Sequence, residues 1–461
     1  MNNLNTNNLV NFDKEHLVGI IITQSGMIEQ LNDKVKELEN QLNKDSSNSS
    51  KPPSSDSNFS IKKNQSLRQK SGKKSGGQKG HKGANRKQVS KPDETISCRP
   101  NKCSNCGKDL SNKQGKIIAK RQEADIPPIK PIIIEFQQEE IKCSCGHCNK
   151  GEFPDHIKSP FQLGQNLKSF IVYLNTAHYI PYKRLSQMVD DLLNIRISQG
   201  TIDNTLDYFN QQGIPIYNQI LIDIKKQKWT GSDETGTKVK GKNWWQWVWQ
   251  NEVGSFYAIE KGRGYAVVEK YFGADYIGTL IHDCWSAQNN TAASGHQLCH
   301  PHLLRDLIFC MEVEKSRWAY QMKQLLLSSE KARDVIWNDN FIPILRKKII
   351  KEYNHKLKQL INQSVTGKES IRLQKRFKKH RIKIFYFMND PDIPWHNNSS
   401  EQAIRNSKLH QKISGCFRSV KGAKRRSVIL SIIETCKKRN LNILDSLQQV
   451  FQGRFNFGVA E

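Results

Sequence analysis

The order of strand-like and helix-like segments between residues 229 and 282 restricts the fold more than any other feature of the sequence. Aromatic and β-branched residues predict three consecutive strands, at 229–236, 244–249 and 255–259. A helical pattern then covers 262–272, and strand character returns at 276–282. Asp233 lies in the first of these strands, and Asp283 directly follows the last. The succession β-β-β-α-β therefore carries two aspartates at strand ends, where their side chains can converge.

Carboxylates in that arrangement indicate a site for divalent metal ions. Mg²⁺ and Mn²⁺ prefer hard oxygen ligands, and two such ions about 3.5–4 Å apart can stabilise the attacking and leaving oxygens at a phosphodiester. A third carboxylate is then expected, and Glu401, near the start of a downstream helix, is the candidate. The order of elements suits a ribonuclease-H-like fold, so we predict a multidomain α+β protein with such an α/β catalytic core.

Each acid also has a simpler interpretation. Glu234 could be the ligand in place of Asp233, and Glu401 could form a helix-surface pair with Arg405 at i,i+4. The metal-site prediction therefore depends on the three acids taken together and not on any one of them. Asp283 and Glu401 are 118 residues apart, so a helical, basic insertion is predicted at about 312–390 within a catalytic domain at 226–453.

Six of the eleven cysteines lie between residues 98 and 148, in a pattern that favours a zinc ribbon at 96–152. Cys103 and Cys106 form the first knuckle, and two ligands of a tetrahedral zinc can come from such a turn. The second knuckle is ambiguous, because Cys143, Cys145, His147 and Cys148 are all candidates for its two ligands. Cys98 could be a spectator that binds no metal. The residues between the knuckles, 116–141, favour strand. The alternative to a zinc site is a set of free buried cysteines.

The net charge of +28 points to a polyanionic partner, and the N-terminal part of the chain contributes to it. Residues 12–44 show a short coiled-coil pattern, which favours a dimerising helix over a solitary surface helix. Residues 45–95 then form a polar linker, and ten Lys or Arg with no acid lie between residues 57 and 90. We expect this basic arm to contact phosphates, with Lys79 and Lys82 among the contacts; the alternative is a solubilising linker.

Two further segments are candidates for DNA contact. A helical region at 158–225 contains a helix-turn-helix-like pair at 184–206, with Ser198 as N-cap, although many such pairs merely pack a core. Eleven Lys or Arg lie between residues 402 and 439, where a solvated helix face is the alternative. The predicted contacts there are Arg405, Lys412, Arg418, Lys424 and Arg425.

Two smaller patterns near the acids have competing interpretations. Cys299 and His302 have the Cys-x2-His spacing of metal ligands, but we favour a bracing or packing role over a second zinc. The five tryptophans from Trp229 to Trp249 could stack on bases, yet their alternating spacing favours core packing.

Other classes of protein fit poorly. The longest apolar runs fall far short of the ~20 residues that a membrane-spanning helix needs, and no signal peptide is visible. We therefore expect a protein of the reducing cytoplasm; the resemblance described next implies a bacterial cytoplasm and association with the nucleoid.

Several blocks together resemble insertion-sequence family 66 transposases. They are Ser232-Asp233-Glu234-Thr235-Gly236, His282-Asp283-x-Trp285, Cys299-His300-Pro301-His302-Leu303-Leu304-Arg305, Asn397-Asn398-x2-Glu401-x-Ala403-x-Arg405 and Gln411-Lys412-Ile413-Ser414-Gly415-Cys416-Phe417-Arg418. The coiled coil, Lys51-Pro52-Pro53-Ser54-Ser55, Gly77-Gln78-x-Gly80-His81-Lys82-Gly83 and the knuckles occur upstream in the same order, so the resemblance covers nearly the whole chain. Two departures are Cys284, where a glycine is common, and Ser400-Glu401-Gln402, where Ala-Glu-Arg is usual.

The resemblance implies a DNA transposase of the Asp-Asp-Glu type. Asp233, Asp283 and Glu401 would then hold Mg²⁺ or Mn²⁺, next to a structural zinc. The protein would bind the ends of an insertion sequence, cut one strand and join the free 3′ end to target DNA, as a homo-oligomer and with possible accessory proteins of the same element. The alternatives are an inactive DNA-binding regulator derived from a transposase and a ribonuclease-H-like nuclease without strand transfer.

Overall fold

The computed structural model describes residues 13–44, 80, 87–127, 129–273, 276–338 and 341–458. These residues belong to two compact units. The larger unit contains the described parts of Met1–Asn64, Pro154–Asp191 and Ile195–Glu461. The smaller unit contains those of Gln65–Phe153 and Leu192–Asn194.

The larger unit begins with a long helix, α1 (Lys14–Leu42), which confirms the helical prediction for this segment. Its apolar side chains are largely exposed. Ile21, Ile28 and Leu31 are 62%, 57% and 64% exposed. Self-association through this face stays a prediction.

Three helices precede the sheet: α2 (Gln165–Thr176), α3 (Tyr182–Leu193) and α4 (Gln199–Lys225). The predicted N-cap of α4 is confirmed, because the Ser198 hydroxyl accepts a hydrogen bond from the Thr201 N–H at 3.0 Å.

A five-stranded mixed sheet forms the centre of the larger unit. Its strands are β3 (Trp229–Val239), β4 (Lys242–Gln250), β5 (Ser255–Glu260), β6 (Tyr276–His282) and β7 (Ala293–Leu298), with helix α5 (Tyr265–Phe272) before β6 and α6 (Ser286–Asn289) after it. The strand order is β5-β4-β3-β6-β7. The first three strands are antiparallel, and β6 and β7 run parallel to β3. The four strands and the helix expected at 229–282 are all present.

Helices cover both faces of this sheet. On one face, Trp249 packs its ring against Tyr271 and Phe272 of α5. On the other, helix α12 (Val420–Lys438) packs on β5, and the Ser431 hydroxyl accepts from the Tyr257 N–H at 2.9 Å. The sheet interior is consequently buried on both sides.

A helical region lies between β7 and the last helices. It contains α7 (His300–Glu314), α8 (Arg317–Ile336), α9 (Pro343–Ile361), α10 (Lys368–Lys379) and two 3₁₀ turns at Arg381–Lys383 and Tyr386–Asn389. These elements share a core that includes Trp318, Leu326, Phe377 and Phe387. The helical character predicted for residues 312–390 is confirmed in the part of this range that the structure describes. The described chain then continues through α11 (Asn398–Ser414), α12 and α13 (Ile443–Phe451).

The smaller unit contains one short hairpin, β1 (Glu140–Lys142) with β2 (Cys148–Lys150), and a bridge between Lys102 and Asp109. The strand expected over residues 116–141 was wrong except at its last residues. Ile118 and Ile132 are 94% and 87% exposed. Because a β-branched residue favours strand mainly by packing against neighbours, strand propensity without such neighbours did not produce a sheet.

Helices with the length and hydropathy needed to cross a membrane are absent from the described residues.

Candidate active site

The sheet register brings Asp233 and Asp283 together. Gly231 of β3 lies opposite Ile281 on the parallel neighbour β6, so each aspartate lies two residues beyond that pair. Burial raises the pKa of Asp233 well above its usual range, and repulsion from Asp283 and Glu234 raises it further. Glu401 adds a smaller contribution of the same sign. The Asp233 carboxyl therefore lies among three other acids.

Glu401 lies near the two aspartates because the start of α11 packs closely on β3. A Cβ atom added at Gly231 would lie 2.5 Å from both the Asn397 Oδ1 and the Ser400 Oγ, so only glycine permits this approach. The Asn397 side-chain amide donates to the Ser232 carbonyl at 2.8 Å. The Ser400 hydroxyl accepts from the Gln250 side-chain amide at 3.1 Å. These contacts hold the first turn of α11, and with it Glu401, beside β3.

Two basic side chains of α7 face the Glu401 carboxylate. The His302 Nδ1 lies 3.6 Å from Oε1, and the Arg305 Nη2 lies 3.7 Å from Oε2. Among the described residues, Oε1 is buried without a hydrogen-bond partner. Arg405 is exposed and forms no ion pair with Glu401 in the described part of the chain. The pairing expected as an alternative at i,i+4 is therefore replaced by contacts to α7.

Glu234 is engaged by donors on the other face of β3. The Arg263 guanidinium donates to Oε1 through Nε at 3.0 Å, with Nη2 at 2.9 Å, and the Gln288 side-chain amide donates to Oε2 at 2.7 Å. Burial and the Asp283 charge raise the pKa of Glu234 to about 7, although Arg263 acts in the opposite direction. Since both oxygens are already bonded, Glu234 is a poorer candidate metal ligand than Asp233.

Arg263 is itself held between aromatic rings. Its guanidinium carbon lies 4.4 Å from the Trp245 ring centroid and 3.7 Å from that of Trp285. The Trp285 indole N–H donates to the Arg263 carbonyl at 3.1 Å. Sequence reasoning missed Arg263 and Gln288 because neither belongs to a recognisable motif; Trp285, within the block around Asp283, was the available signal.

A histidine pair supports the turn that carries Asp283. The His282 Nδ1 accepts from the Cys284 N–H at 3.2 Å, which leaves its Nε2–H to donate to the His296 Nδ1 at 3.0 Å. Burial lowers the pKa of His282 well below its usual range and that of His296 to about 4. Cys284 has φ +81°, a conformation that costs a non-glycine residue energy. The backbone of the turn after Asp283 is therefore strained at Cys284, and the two histidines that support the turn are neutral.

Four of the five tryptophans predicted to pack in the core do so, Trp247 and Trp249 as fully buried side chains and Trp229 and Trp244 as half-buried side chains against apolar clusters. Trp247 and Trp249 are fully buried and stack with ring centroids 5.7 Å apart. Trp245 packs instead on Arg263.

The predicted DNA contacts differ in their surroundings. Arg405, Lys412, Arg418 and Lys424 are exposed, whereas Lys79 and Lys82 lie outside the described residues. Arg425 is buried, and its guanidinium donates to the Asp203 carboxylate and the Tyr182 hydroxyl, both at 2.6 Å, and to Asp207. This burial contradicts the predicted phosphate contact of Arg425, because the guanidinium is already used to join α12 to α3 and α4.

The cysteines of the smaller unit form two closed turns. In the first, the Gly107 N–H donates to the Cys103 carbonyl at 2.9 Å; in the second, the Gly146 N–H donates to the Cys143 carbonyl at 2.8 Å. Backbone N–H groups of Cys106 and Asn105 lower the pKa of Cys103, and that of Cys145 lowers the pKa of Cys143. Within the described residues, three or more of these sulfurs do not converge as metal ligands.

Comparison with known proteins places these features in a family. The Transposase IS66 family matches residues 161–425, and a family of unknown function, DUF6444, matches residues 5–87. The uncharacterized protein y4hP of Sinorhizobium fredii is 20% identical over 387 residues, which is 74% of this chain and 68% of that protein. The uncharacterized protein y4jO of the same organism is 35% identical over 78 residues, 17% of this chain and 24% of its own length.

The matched region contains the mixed sheet, all three acids and the helices that position them. It covers more than half of the chain. The protein belongs to the IS66 transposase family.

Proposed function

We propose that this protein is a DNA transposase of the Asp-Asp-Glu type. Asp233, Asp283 and Glu401 would hold Mg²⁺ or Mn²⁺. The observation that carries the proposal is the β3–β6 register, which puts the two aspartates side by side where β6 ends, with Asp233 in the middle of the longer strand β3. Membership in the IS66 family supports it independently.

The three acids fit a hard divalent cation. They supply only oxygen ligands, which Mg²⁺ and Mn²⁺ prefer. Burial and, to a smaller extent, repulsion from Asp283 and Glu234 raise the pKa of Asp233, and Glu401 Oε1 is buried without a partner among the described residues, as expected where a counter-ion belongs. When bound, such ions activate a water molecule and stabilise the oxygens of the scissile phosphodiester.

The other residues of the site act by positioning. Asn397 and Ser400 fix the first turn of α11 against β3, so that Glu401 faces the aspartates. Arg263 and Gln288 hold Glu234 on the face of β3 opposite to Asp233. Exposed Lys412, Arg418 and Lys424 follow Glu401 and would bind the phosphates of the DNA strand.

The proposal extends to the architecture. Three antiparallel strands followed by two parallel ones, with Asp233 on the central strand β3 and Asp283 directly after its neighbour β6, support a ribonuclease-H-like core interrupted by the helices between β7 and α11. The two cysteine turns would supply the ligands of one structural zinc in a ribbon, and a second copy of the chain would pair with the exposed apolar face of α1.

The test is a nicking and joining assay on DNA that carries the inverted repeats flanking the gene. Wild-type protein should nick and join this DNA only with Mg²⁺ or Mn²⁺. Asp233→Asn should abolish both steps while DNA binding is retained. Asp334→Asn, the same change at an acid whose side chain is 79% exposed, is the control and should leave both steps intact.

Other outcomes of this assay identify the alternatives. Binding without nicking by the wild type would indicate an inactive regulator, and nicking without joining would indicate a nuclease. Undiminished activity of Asp233→Asn would refute the assignment of the acids.

A further inference from the structure

Three side chains that can bind a metal ion meet where the start of α7 lies against α11, and neither aspartate belongs to this group. They are Cys299, His302 and Glu401, and their ligating atoms lie within 4.8 Å of one another. Two of them sit at the start of α7: Cys299 precedes its first residue, and His302 lies in its first turn. The third is on α11, so the cluster joins two helices that are about a hundred residues apart in sequence.

Two of the three ligand atoms, those of His302 and Glu401, are not engaged with other groups in the described part of the chain, whereas the Cys299 Sγ accepts from the Asn397 N–H. The His302 Nδ1 and the Glu401 Oε1 are both buried without a hydrogen-bond partner among the described residues, and they lie 3.6 Å apart. That separation is too long for a hydrogen bond but suits two ligands of one ion. Two adjacent unsatisfied atoms of this kind require an explanation, because each costs free energy when it is buried alone.

The geometry at each side chain leaves room for a metal ion. The Cys299 Sγ accepts from the Asn397 N–H at 3.2 Å at the N-terminal end of α7, and because burial raises the pKa of this thiol, the metal ion itself must displace the proton. Arg305 faces the other carboxylate oxygen of Glu401, Oε2, and leaves Oε1 turned towards the histidine. A thiolate, an imidazole and a carboxylate form a ligand set for a borderline-soft ion, and three protein ligands leave zinc a fourth position.

We propose that Cys299, His302 and Glu401 form a second site for Zn²⁺, separate from the cysteine turns of the smaller unit. The consequence for activity rests on the proposed function: the unpartnered Oε1 of Glu401 is the oxygen that both zinc and Mg²⁺ would use. Zinc at this site therefore competes with Mg²⁺ for Glu401, and the site makes the enzyme sensitive to the ratio of the two metals.

Metal content of the full-length chain tests the site directly. The purified protein is equilibrated with a small excess of Zn²⁺, desalted and analysed by elemental mass spectrometry. Cys299→Ser should lose one zinc per chain relative to wild type. Cys310→Ser is the matched control, since Cys310 is also a buried cysteine of α7 but lies outside the cluster, and it should lose none.

A second pair of variants separates this proposal from the proposed function. Glu401→Gln should lose the same zinc, whereas Asp233→Asn should keep it, whatever either variant does to DNA. His302→Gln, at a partly exposed position, should also lose one zinc and serves if Cys299→Ser fails to fold. Equal zinc content in wild type, Cys299→Ser and His302→Gln would overturn the site, and the nicking assay would be unaffected by that result.

Cobalt substitution gives a readout that does not depend on counting. Co²⁺ bound to a thiolate absorbs in the near ultraviolet, so wild-type protein saturated with Co²⁺ should show more of this absorption per chain than Cys299→Ser. Identical spectra would overturn the thiolate ligand.

Discussion

The mixed sheet and the cysteine-rich segment are both rich in strand-forming residues, yet they fold by different means. In the sheet, Trp247, Val248 and Trp249 are fully buried between helices. In the cysteine-rich segment, Ile118 and Ile132 are almost fully exposed, and the regular structure among its described residues is two tight turns, a short hairpin and the bridge between Lys102 and Asp109. Burial of apolar surface stabilises the first region, whereas the second buries little of it, which is why we propose that a metal ion bound by its cysteines stabilises it.

Metal removal should produce the largest difference between the two regions. We expect a chelator to abolish hydrogen-exchange protection at the Gly107 and Gly146 amides, which close the two turns, because metal binding and folding are coupled in such small sites. Amides of β4 should stay protected. Exchange measured by mass spectrometry with and without chelator checks this.

Two variants control that experiment. Cys106→Ser should mimic the chelator, whereas Cys98→Ser, at an exposed cysteine outside both turns, should not. Unchanged exchange in the presence of chelator would mean that the turns are stable without metal, and the contrast between the two regions would disappear.

The second prediction concerns apolar side chains in each region. Trp249→Ala should lower the free energy of unfolding of the larger unit by about 3–5 kcal/mol, since a fully buried ring in contact with Tyr271 and Phe272 leaves a cavity. Ile118→Ala, at a side chain that is 94% exposed, should change stability by less than about 0.5 kcal/mol. Denaturant unfolding measures both, and a large effect of Ile118→Ala would show that this segment is buried in a complex with a partner.

The same contrast explains what could be predicted from sequence. The strands from 229 to 282 were predictable because their residues have neighbours on both sides, so local propensity and tertiary packing agree. The meeting of Asp233 and Asp283 followed from strand order. The strand over 116–141 failed because propensity had no packing to support it, and residues 45–79 of the basic linker lie outside the described residues.

Long-range side-chain contacts could not be predicted. Arg263 bonds Glu234 from 29 residues away, and the close approach of Asn397 to Gly231 joins segments 166 residues apart. No periodicity encodes either contact. Arg425 was assigned to DNA because its segment is basic, but charge alone does not show which face of α12 is packed.

The third prediction tests that correction with two neighbouring basic residues. Arg425→Ala should lower the free energy of unfolding by about 2–3 kcal/mol, because it leaves Asp207 partly buried without its guanidinium; partial exposure of Asp203 keeps the loss below the full cost of a broken buried pair. Lys424→Ala should leave stability within about 0.5 kcal/mol and lower the salt dependence of DNA binding by about one phosphate contact.

Denaturant unfolding and binding titrations at several salt concentrations separate the two effects. If Arg425→Ala folded with wild-type stability and bound DNA less well, the result would support the phosphate contact that the sequence predicted for Arg425.

The smallest expected effect lies where the sheet delivers Asp283. Cys284 has φ +81°, which costs a residue with a Cβ atom about 1–2 kcal/mol, and glycine avoids that cost. Cys284→Gly also gives up the contact between the thiol and the Asn289 side-chain amide at 3.4 Å, and glycine loses about 0.5–1 kcal/mol more chain entropy on folding. A net gain of about 0.5–1 kcal/mol in the free energy of unfolding remains.

Cys284→Ala is the matched control, because it removes the same thiol and keeps the strain, so it should show no gain. Denaturant unfolding followed by tryptophan fluorescence measures both variants. Equal destabilisation by glycine and alanine would show that the thiol contact, and not the backbone, determines the stability of this turn.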